Sequence, residues 1–287
     1  MTDAGFERLL AELRPKLHRY CARMTGSAID GEDVVQEAFL KATAARERAG
    51  VAQPERWLFR IAHNAALDFL RRRSRAEARQ AGEDPDMIAD PDDVRPDPEL
   101  LLTSLRTFMR LPRVQRSSVI LMDVLGYSLN EIADIMQASV PAVKSALHRG
   151  RTRLHALAKE PDDVVPPVLS PTERTLLAAY IDRFSARDYD AVRAMLADEV
   201  RLDLVNRIQL NGRAEVQTYF TNYAKAPPKR FELGFVDGTP AMLVYEAGSA
   251  VAAYFVVLTW TGSSVTNIRD FFHARYAIEG AAIEVAT

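Results

Sequence analysis

SLNEIADIMQASVPAVKSALHRGRTRL, residues Ser128–Leu154, is the stretch that decides how the rest of the chain is read. In its first half Leu129, Ile132, Ala133 and Met136 recur at i, i+3, i+4 and i+7, which puts one apolar stripe on one helix face. The pattern breaks at Ala138-Ser139. Ser139 suits a helix N-cap, and Pro141 falls in the first turn, where a missing N–H is harmless. In the second half Val143, Leu147, Gly150 and Leu154 form a new stripe, leaving Pro141, Ser145, His148, Arg149 and Thr152 on the opposite face. Lys144 and Arg151 lie on its flank. A helix-turn-helix has this layout: the second helix packs with one face and offers hydrogen-bond donors to the major groove with the other. An ordinary helical hairpin with a solvated basic face satisfies the same spacing.

The net charge of −2 over 287 residues conceals a block pattern. Residues 1–80 carry +4, 81–100 carry −7, 101–160 carry +5 and 161–287 carry −4. Two basic blocks joined by an acidic segment fit two DNA-facing modules on a tether. An apolar fraction of 48% supports real cores, and 26% charged residues is ordinary for a soluble protein. No apolar run reaches the roughly 18 to 20 residues of a membrane span. The amphipathic start MTDAGFERLLAEL is not a secretory signal. One cysteine, Cys21, leaves no internal disulfide and fits a reducing cytoplasm, the expected location. With five scattered histidines it also builds no zinc spacing, so no metal or cofactor is expected.

Residues 6–80 read as helices. Phe6, Leu9, Leu10, Leu13 and Leu17 form one stripe, and Val34, Val35, Ala38, Phe39 and Ala42 a second. A third helix starts near Pro54 and carries Trp57, Leu58, Ile61, Ala65 and Phe69 inward before ending in the basic run Arg71–Arg75. Residues 81–98, with four prolines and seven acids, read as a flexible linker. Residues 99–160 form a second helical domain around the helix-turn-helix, and 161–171 a second linker. From 172 the pattern changes. A helix to about Leu196 precedes β-type runs at 200–205, 231–236, 241–245, 250–260 and 264–275, interrupted by a helix at 214–223. The expected fold class is therefore multi-domain: two all-α domains, 1–80 and 99–160, and an α+β domain over 172–287 with a curved antiparallel sheet.

DGEDVVQEAFLKA (Asp30–Ala42) with PERWLFRIAHNAALDFLRRR (Pro54–Arg73) resembles region 2 of the bacterial extracytoplasmic-function (group IV) sigma factors. LPRVQRSSVILMDVLGYSLNEIADIMQASVPAVKSALHRGRTRL (Leu111–Leu154) resembles their region 4. Both occur in order and at the family's separation. The pieces ARDYDAVRAMLADEVRL and GFVDGTPA resemble the polyketide-cyclase-like (SnoaL-like) cone that extends some sigma factors of this class. The Gly-rich DGGGK motif and the WLPEP-like linker of some such members are absent.

The resemblance implies roles residue by residue. Asp33, Gln36, Glu37 and Phe39 would dock on core RNA polymerase. Arg60, His63, Asn64 and Leu67 would meet the −10 promoter element, with Arg71, Arg72 and Arg73 on phosphates. Ser139 and Lys144 would contact −35 phosphates, with Pro141 on the same surface. Ser145, His148 and Arg149 would read −35 bases, Arg149 by a guanidinium fork matched to guanine. Asp68 is expected in a structural ion pair. The function implied is recruitment of core polymerase to chosen promoters, without a catalytic site. The C-terminal domain would regulate it through contact with the helical domains, and a small-molecule ligand of unnamed kind goes with cones of this type. The cone's acid–base candidates are Asp203, Asp237, Asp270 and His273; Asp270 and His273, three apart on a strand, would face opposite ways. The alternative function is a small-molecule-responsive helix-turn-helix regulator that binds DNA without polymerase.

Overall fold

The computed structural model describes residues 3–45, 52–76, 97, 100, 103–160 and 167–286. Most of the acidic segment 81–98 lies outside them. The chain forms two compact units, Met1–Asp163 and Val164–Thr287.

In the first unit α1 (Asp3–Thr25) lies against α2 (Ala28–Ala45), and α3 (Pro54–Ala76) packs on both. The α1–α2 contact is backbone on backbone. A Cβ on Gly31 would stand 2.6 Å from the Ala22 Cα, so no other residue fits there without displacing a helix. Beside it the Arg14 guanidinium pairs with the Glu32 carboxylate, which is 1% exposed, and covers the Phe39 ring at 5.3 Å. This ion pair stands in a nearly dry contact, so each charge depends on the other.

The second helical segment comprises α4 (Leu105–Met109), α5 (Arg113–Val119), α6 (Leu129–Met136) and α7 (Val140–Leu157). A π-helical stretch, Ile120–Val124, continues α5. Ser128 and Glu131 form a capping box at the start of α6, and Gln137 ends that helix in a left-handed conformation, φ 53°. Ser139 then caps α7 by accepting from the Ala142 amide at 3.4 Å. Val143, Leu147, Gly150 and Leu154 are all buried, as their spacing requires. A Cβ on Gly150 would meet Val119 Cγ2 at 2.7 Å, so this glycine is what lets α5 rest on α7.

The two helical parts expected as separate domains share one core in this structure. A single apolar cluster runs from Leu17, Tyr20, Met24 and Phe59 to Phe108, Val119, Ile132 and Leu154. The sharing alters α3. Trp57, Ile61 and Phe69, expected inward, are half-buried, whereas Phe59, Ala62 and His63 are buried. With α1 and α2 on one side and α5 and α6 on the other, the helix has two covered faces.

The second unit opens with α8 (Pro171–Ser185) and α9 (Tyr189–Ala194). The single helix expected to about Leu196 is broken at Arg187, φ 60°. Strands β1 (Leu196–Leu204), β2 (Ile208–Asn211), β3 (Arg230–Val236), β4 (Thr239–Tyr245), β5 (Tyr254–Thr261), β6 (Ser264–Asp270) and β7 (Ile283–Val285) make a sheet of order β2-β1-β6-β5-β4-β3-β7, with α10 (Arg213–Lys225) inserted after β2. Every neighbouring pair is antiparallel except β1–β6, which is parallel. The expected antiparallel sheet is thus present, with β1–β6 its one parallel pair among the described residues. The chain returns to β1 from β5 and β6, so the central pairing is not a hairpin. Tyr180 and Phe184 of α8 and Val216 and Phe220 of α10 fill the face lined by Val200, Met242, Val244 and Ile268.

Removing one partner of the buried Arg14–Glu32 pair leaves a charge without its counter-charge. Glu32→Ala is expected to lower the stability of the first unit by about 3–5 kcal/mol. Arg14→Met combined with Glu32→Leu is expected to cost much less; urea denaturation of the two variants checks the difference.

Candidate nucleic-acid interface and partner-docking face

Three helix surfaces carry the candidate residues. On α3, Asn64, Arg71, Arg72 and Arg73 are exposed and Arg60 and Leu67 half-buried. His63 does not share that surface, and the expectation that it meets DNA is corrected for this packed arrangement. Its Nδ1 lies 2.7 Å from the Tyr20 hydroxyl of α1 and 3.2 Å from the Ser117 hydroxyl of α5. Tyr20 and Ser117 are themselves 2.7 Å apart. Burial pushes the imidazole down to a pKa of about 4, so it is neutral near pH 7. Next to this network Arg116, 4% exposed, donates to the Met24 carbonyl at 2.6 Å and to the Met109 and Leu111 carbonyls at 2.9 Å each. Its guanidinium thus ties the end of α1 to the α4–α5 connection. Outside the buried seam, Arg56 of α3 bridges to Glu131 at 3.0 Å and Asp134 at 3.3 Å on α6.

On α7, Ser139 and Pro141 are exposed, and Lys144, Ser145, His148 and Arg149 are half-buried along one side. The structure brings these six together on the face opposite the buried stripe. The flanking Arg151 is used differently: it forks onto the Asp123 carboxylate at 3.0 and 2.5 Å. That pair fixes α7 to the π-helical stretch.

On α2, Asp33 is exposed and Gln36 and Glu37 half-buried. Phe39 turns back toward α1 beneath Arg14, whereas Leu40, 70% exposed, is the large apolar side chain that this face presents. Sequence reasoning missed Leu40. The signal was its position four residues after Gln36 and three after Glu37, which puts it on their face. Glu37 meets Lys41 at 2.8 Å and Arg72 at 2.7 Å, and the Arg72 hydrogen bond holds its carboxyl below the usual range.

The acid–base candidates of the second unit do not converge. His273 is exposed; Asp203 lies 3.6 Å from Arg269; Asp237 accepts from the Ala282 amide in the β3–β4 turn. Asp270, at the end of β6, is buried. It accepts from the Tyr219 and Tyr223 hydroxyls at 2.9 and 2.8 Å and from the Phe272 amide at 2.8 Å. Burial raises its pKa despite these donors. The tyrosines were also missed, although 219 and 223 have the i, i+4 spacing that puts two hydroxyls on one helix face.

Comparison with known proteins places the helical unit. The profile of sigma-70 region 2 matches residues 9–76, and that of sigma-70 region 4 matches 105–154. The chain is 31% identical over 162 residues to the ECF RNA polymerase sigma factor SigW of Bacillus subtilis, covering 52% of this chain and 87% of SigW. The chain belongs to the extracytoplasmic-function RNA polymerase sigma factors. It is also 34% identical over 212 residues to the sigma factor SigG of Mycobacterium tuberculosis, covering 65% of this chain but only 57% of SigG's length. A solved NTF2-like protein from Cytophaga hutchinsonii resembles part of the chain at 15% identity and a TM-score of 0.27, over 33% of this chain and 95% of that one. In this sigma factor α2 and α3 fall within region 2, and α4 to α7 supply region 4. The Tyr20–His63–Ser117 seam therefore joins region 2 to region 4. No helix among the described residues is long and apolar enough to cross a membrane.

The seam has a pH signature. His63 is neutral when packed and has an ordinary pKa of 6.5 when exposed, so protons bind the opened or unfolded chain more readily than the packed one. The stability that His63 lends is complete above pH 6.5 and falls away as the pH drops from there toward about 4. Tyr20 and Arg116 face the same seam and do not titrate in that window. Urea unfolding followed by Trp57 fluorescence, in a Trp260→Phe background, is expected to show this slope. His63→Gln is expected to flatten it.

Proposed function

We propose that this chain directs core RNA polymerase to a specific set of promoters. In this reading Asp33, Gln36, Glu37 and the newly identified Leu40 dock on polymerase. Arg60, Asn64, Leu67 and Arg71–Arg73 engage the −10 element and its melted strand, and the α7 face from Ser139 to Arg149 engages the −35 element. The observation that carries the reading is the pair of helices α3 and α7. Each belongs to a recognised sigma region and keeps a polar or basic face outside while its apolar face is packed. Asn64 offers a base edge both a donor and an acceptor, and Arg149 offers a fork. Strand opening then follows from capture of unpaired bases rather than from a catalytic group.

Distance adds a requirement. The two promoter elements lie about two and a half turns of B-DNA apart, about 85 Å at roughly 34–36 Å per turn. Here α3 touches α5 through His63 and Ser117, and α5 rests on α7 at Gly150. At about 8–10 Å per helix contact, α3 and α7 stand about 20 Å apart. Promoter binding therefore requires region 2 and region 4 to separate at the Tyr20–His63–Ser117 seam.

Asn64→Ala and Arg149→Ala are each expected to lower run-off transcription about ten- to a hundredfold, because a base-reading bond is worth about 1–3 kcal/mol. Both variants should still bind core polymerase. Asp33→Ala with Glu37→Ala should release the factor from polymerase instead. Binding of free promoter duplex as tightly as of the polymerase complex would favour a polymerase-independent regulator.

In the same proposed reading the second unit regulates this activity, and its charge is opposite to that of the region 4 segment. Residues 161–287 carry −4 and residues 101–160 carry +5. Deleting residues 164–287 is expected to leave a folded chain that still binds polymerase but transcribes at a changed rate. Unchanged run-off transcription would reduce the second unit to a passenger.

A further inference from the structure

Arg71, Arg72 and Arg73, at the end of α3, are each paired with a carboxylate. Arg71 meets Asp68 at 3.2 Å, Arg72 meets Glu37 at 2.7 Å and Arg73 meets Asp30 at 3.1 Å. Lys41 closes the strip, 2.8 Å from Glu37 and 3.7 Å from Asp68. Asp30 and Glu37 come from α2, the helix that also carries the polymerase-docking face. One carboxylate, Glu37, therefore stands in both candidate surfaces.

We infer that Glu37 is exchanged between Arg72 and polymerase, so that docking of α2 releases Arg72 for DNA phosphate. The inference rests on the function proposed above and names a regulation of that same surface. In the unbound chain Arg72 is covered by a carboxylate, and a phosphate can take it only by returning Glu37 to solvent. A basic, partly apolar partner that claims Glu37, beside Asp33, Gln36 and Leu40, removes that competitor. The thermodynamic link runs both ways: what binding of polymerase does for DNA, binding of DNA does for polymerase by the same factor. The pair is accessible, with side-chain exposures of 58% for Arg72 and 28% for Glu37. Exposed pairs are weak, so the guard tunes affinity by about three- to fivefold rather than blocking DNA outright.

Salt dependence separates this guard from a general change in charge. An unguarded arginine that takes a phosphate releases nearly one counterion, adding about 0.9 to the salt slope. A guarded one must first give up the Glu37 carboxylate, and because that exposed pair is itself weakened by salt, the competition eases as salt rises and the slope is shallower. Binding of the full chain to a fluorescent forked DNA is measured across KCl concentrations. Glu37→Gln is expected to tighten binding about three- to fivefold at about 100 mM salt and to steepen the slope. Glu12→Gln, the same charge change at an exposed site on α1, should leave the slope unaltered. In an Arg72→Gln background the effect of Glu37→Gln should shrink to that of the control.

The polymerase side gives the crossed result. Arg72→Gln, which unguards Glu37, is expected to raise affinity for core polymerase about three- to fivefold while weakening DNA binding. Glu37→Gln should do the reverse on both counts. Circular dichroism melts confirm that each surface variant is folded. An unchanged salt slope in Glu37→Gln, an effect that persists without Arg72, or an Arg72→Gln variant with unaltered polymerase affinity would each overturn the exchange. Failure of the unaltered chain to bind polymerase at all would instead overturn the proposed function, and the salt slope would still decide whether Glu37 guards Arg72.

Discussion

The Tyr20 hydroxyl, placed within 2.7 Å of both His63 and Ser117, is the contact around which the first unit is organised. It lies where α1, α3 and α5 meet, and Arg116 seals the same seam by donating to three carbonyls. Burying an imidazole, a phenol, a serine hydroxyl and a guanidinium is tolerable only because each finds a partner. Once exposed, the same groups would be well solvated by water. A seam of this kind holds two parts together without the penalty that separating a purely hydrocarbon contact would carry. Apolar side chains on either side, Met24, Phe59 and Phe108, supply the area that keeps it closed.

That junction explains the arrangement of the candidate surfaces. Because α5 and α6 cover one side of α3, the side chains left outside are Asn64 and the arginines, while His63 is drawn in. Because Gly150 admits α5 against α7, the polar row of α7 is turned away from the core. Ser145, His148 and Arg149 share one side by their i, i+3, i+4 spacing, and the fork of Arg151 onto Asp123 helps hold the helix in this rotation. The surfaces are consequences of packing, and the charges around them have separate tasks. Arg116, Arg151 and Arg14 are structural, held by carbonyls or buried carboxylates. Arg72 remains in water with a carboxylate that α2 also offers to partners.

The second unit uses a buried polar centre in a different way. Asp270 ends a central strand inside an aromatic cluster, with two tyrosine hydroxyls and one amide aimed at it. Three donors stabilise the carboxylate, yet burial outweighs them and raises its pKa. The group thereby links α10 to the end of β6 and fixes the helix across the sheet. His273, three residues later, lies outside because the strand ends at Asp270 and the chain turns.

The local pattern of residues was enough for the helix-turn-helix, its cap at Ser139, the buried stripe from Val143 to Leu154, and five of the seven strands found among the described residues of the second unit. These features are encoded within a few turns, where spacing and capping chemistry act. The short edge strands β2 and β7, the parallel β1–β6 pair and the break at Arg187 were not legible, since each depends on what the chain meets from far along its length. The same limit governs the site. Periodicity put His63 beside Asn64 but could not foresee a second helical layer over it. It marked Phe39 as apolar without revealing that Arg14 would cover it and leave Leu40 outside. Sequence alone determined which helices form and which residue types they offer. Tertiary structure decided which of those residues face water, because a helix has several faces and only the neighbours packed against it select the one that stays exposed.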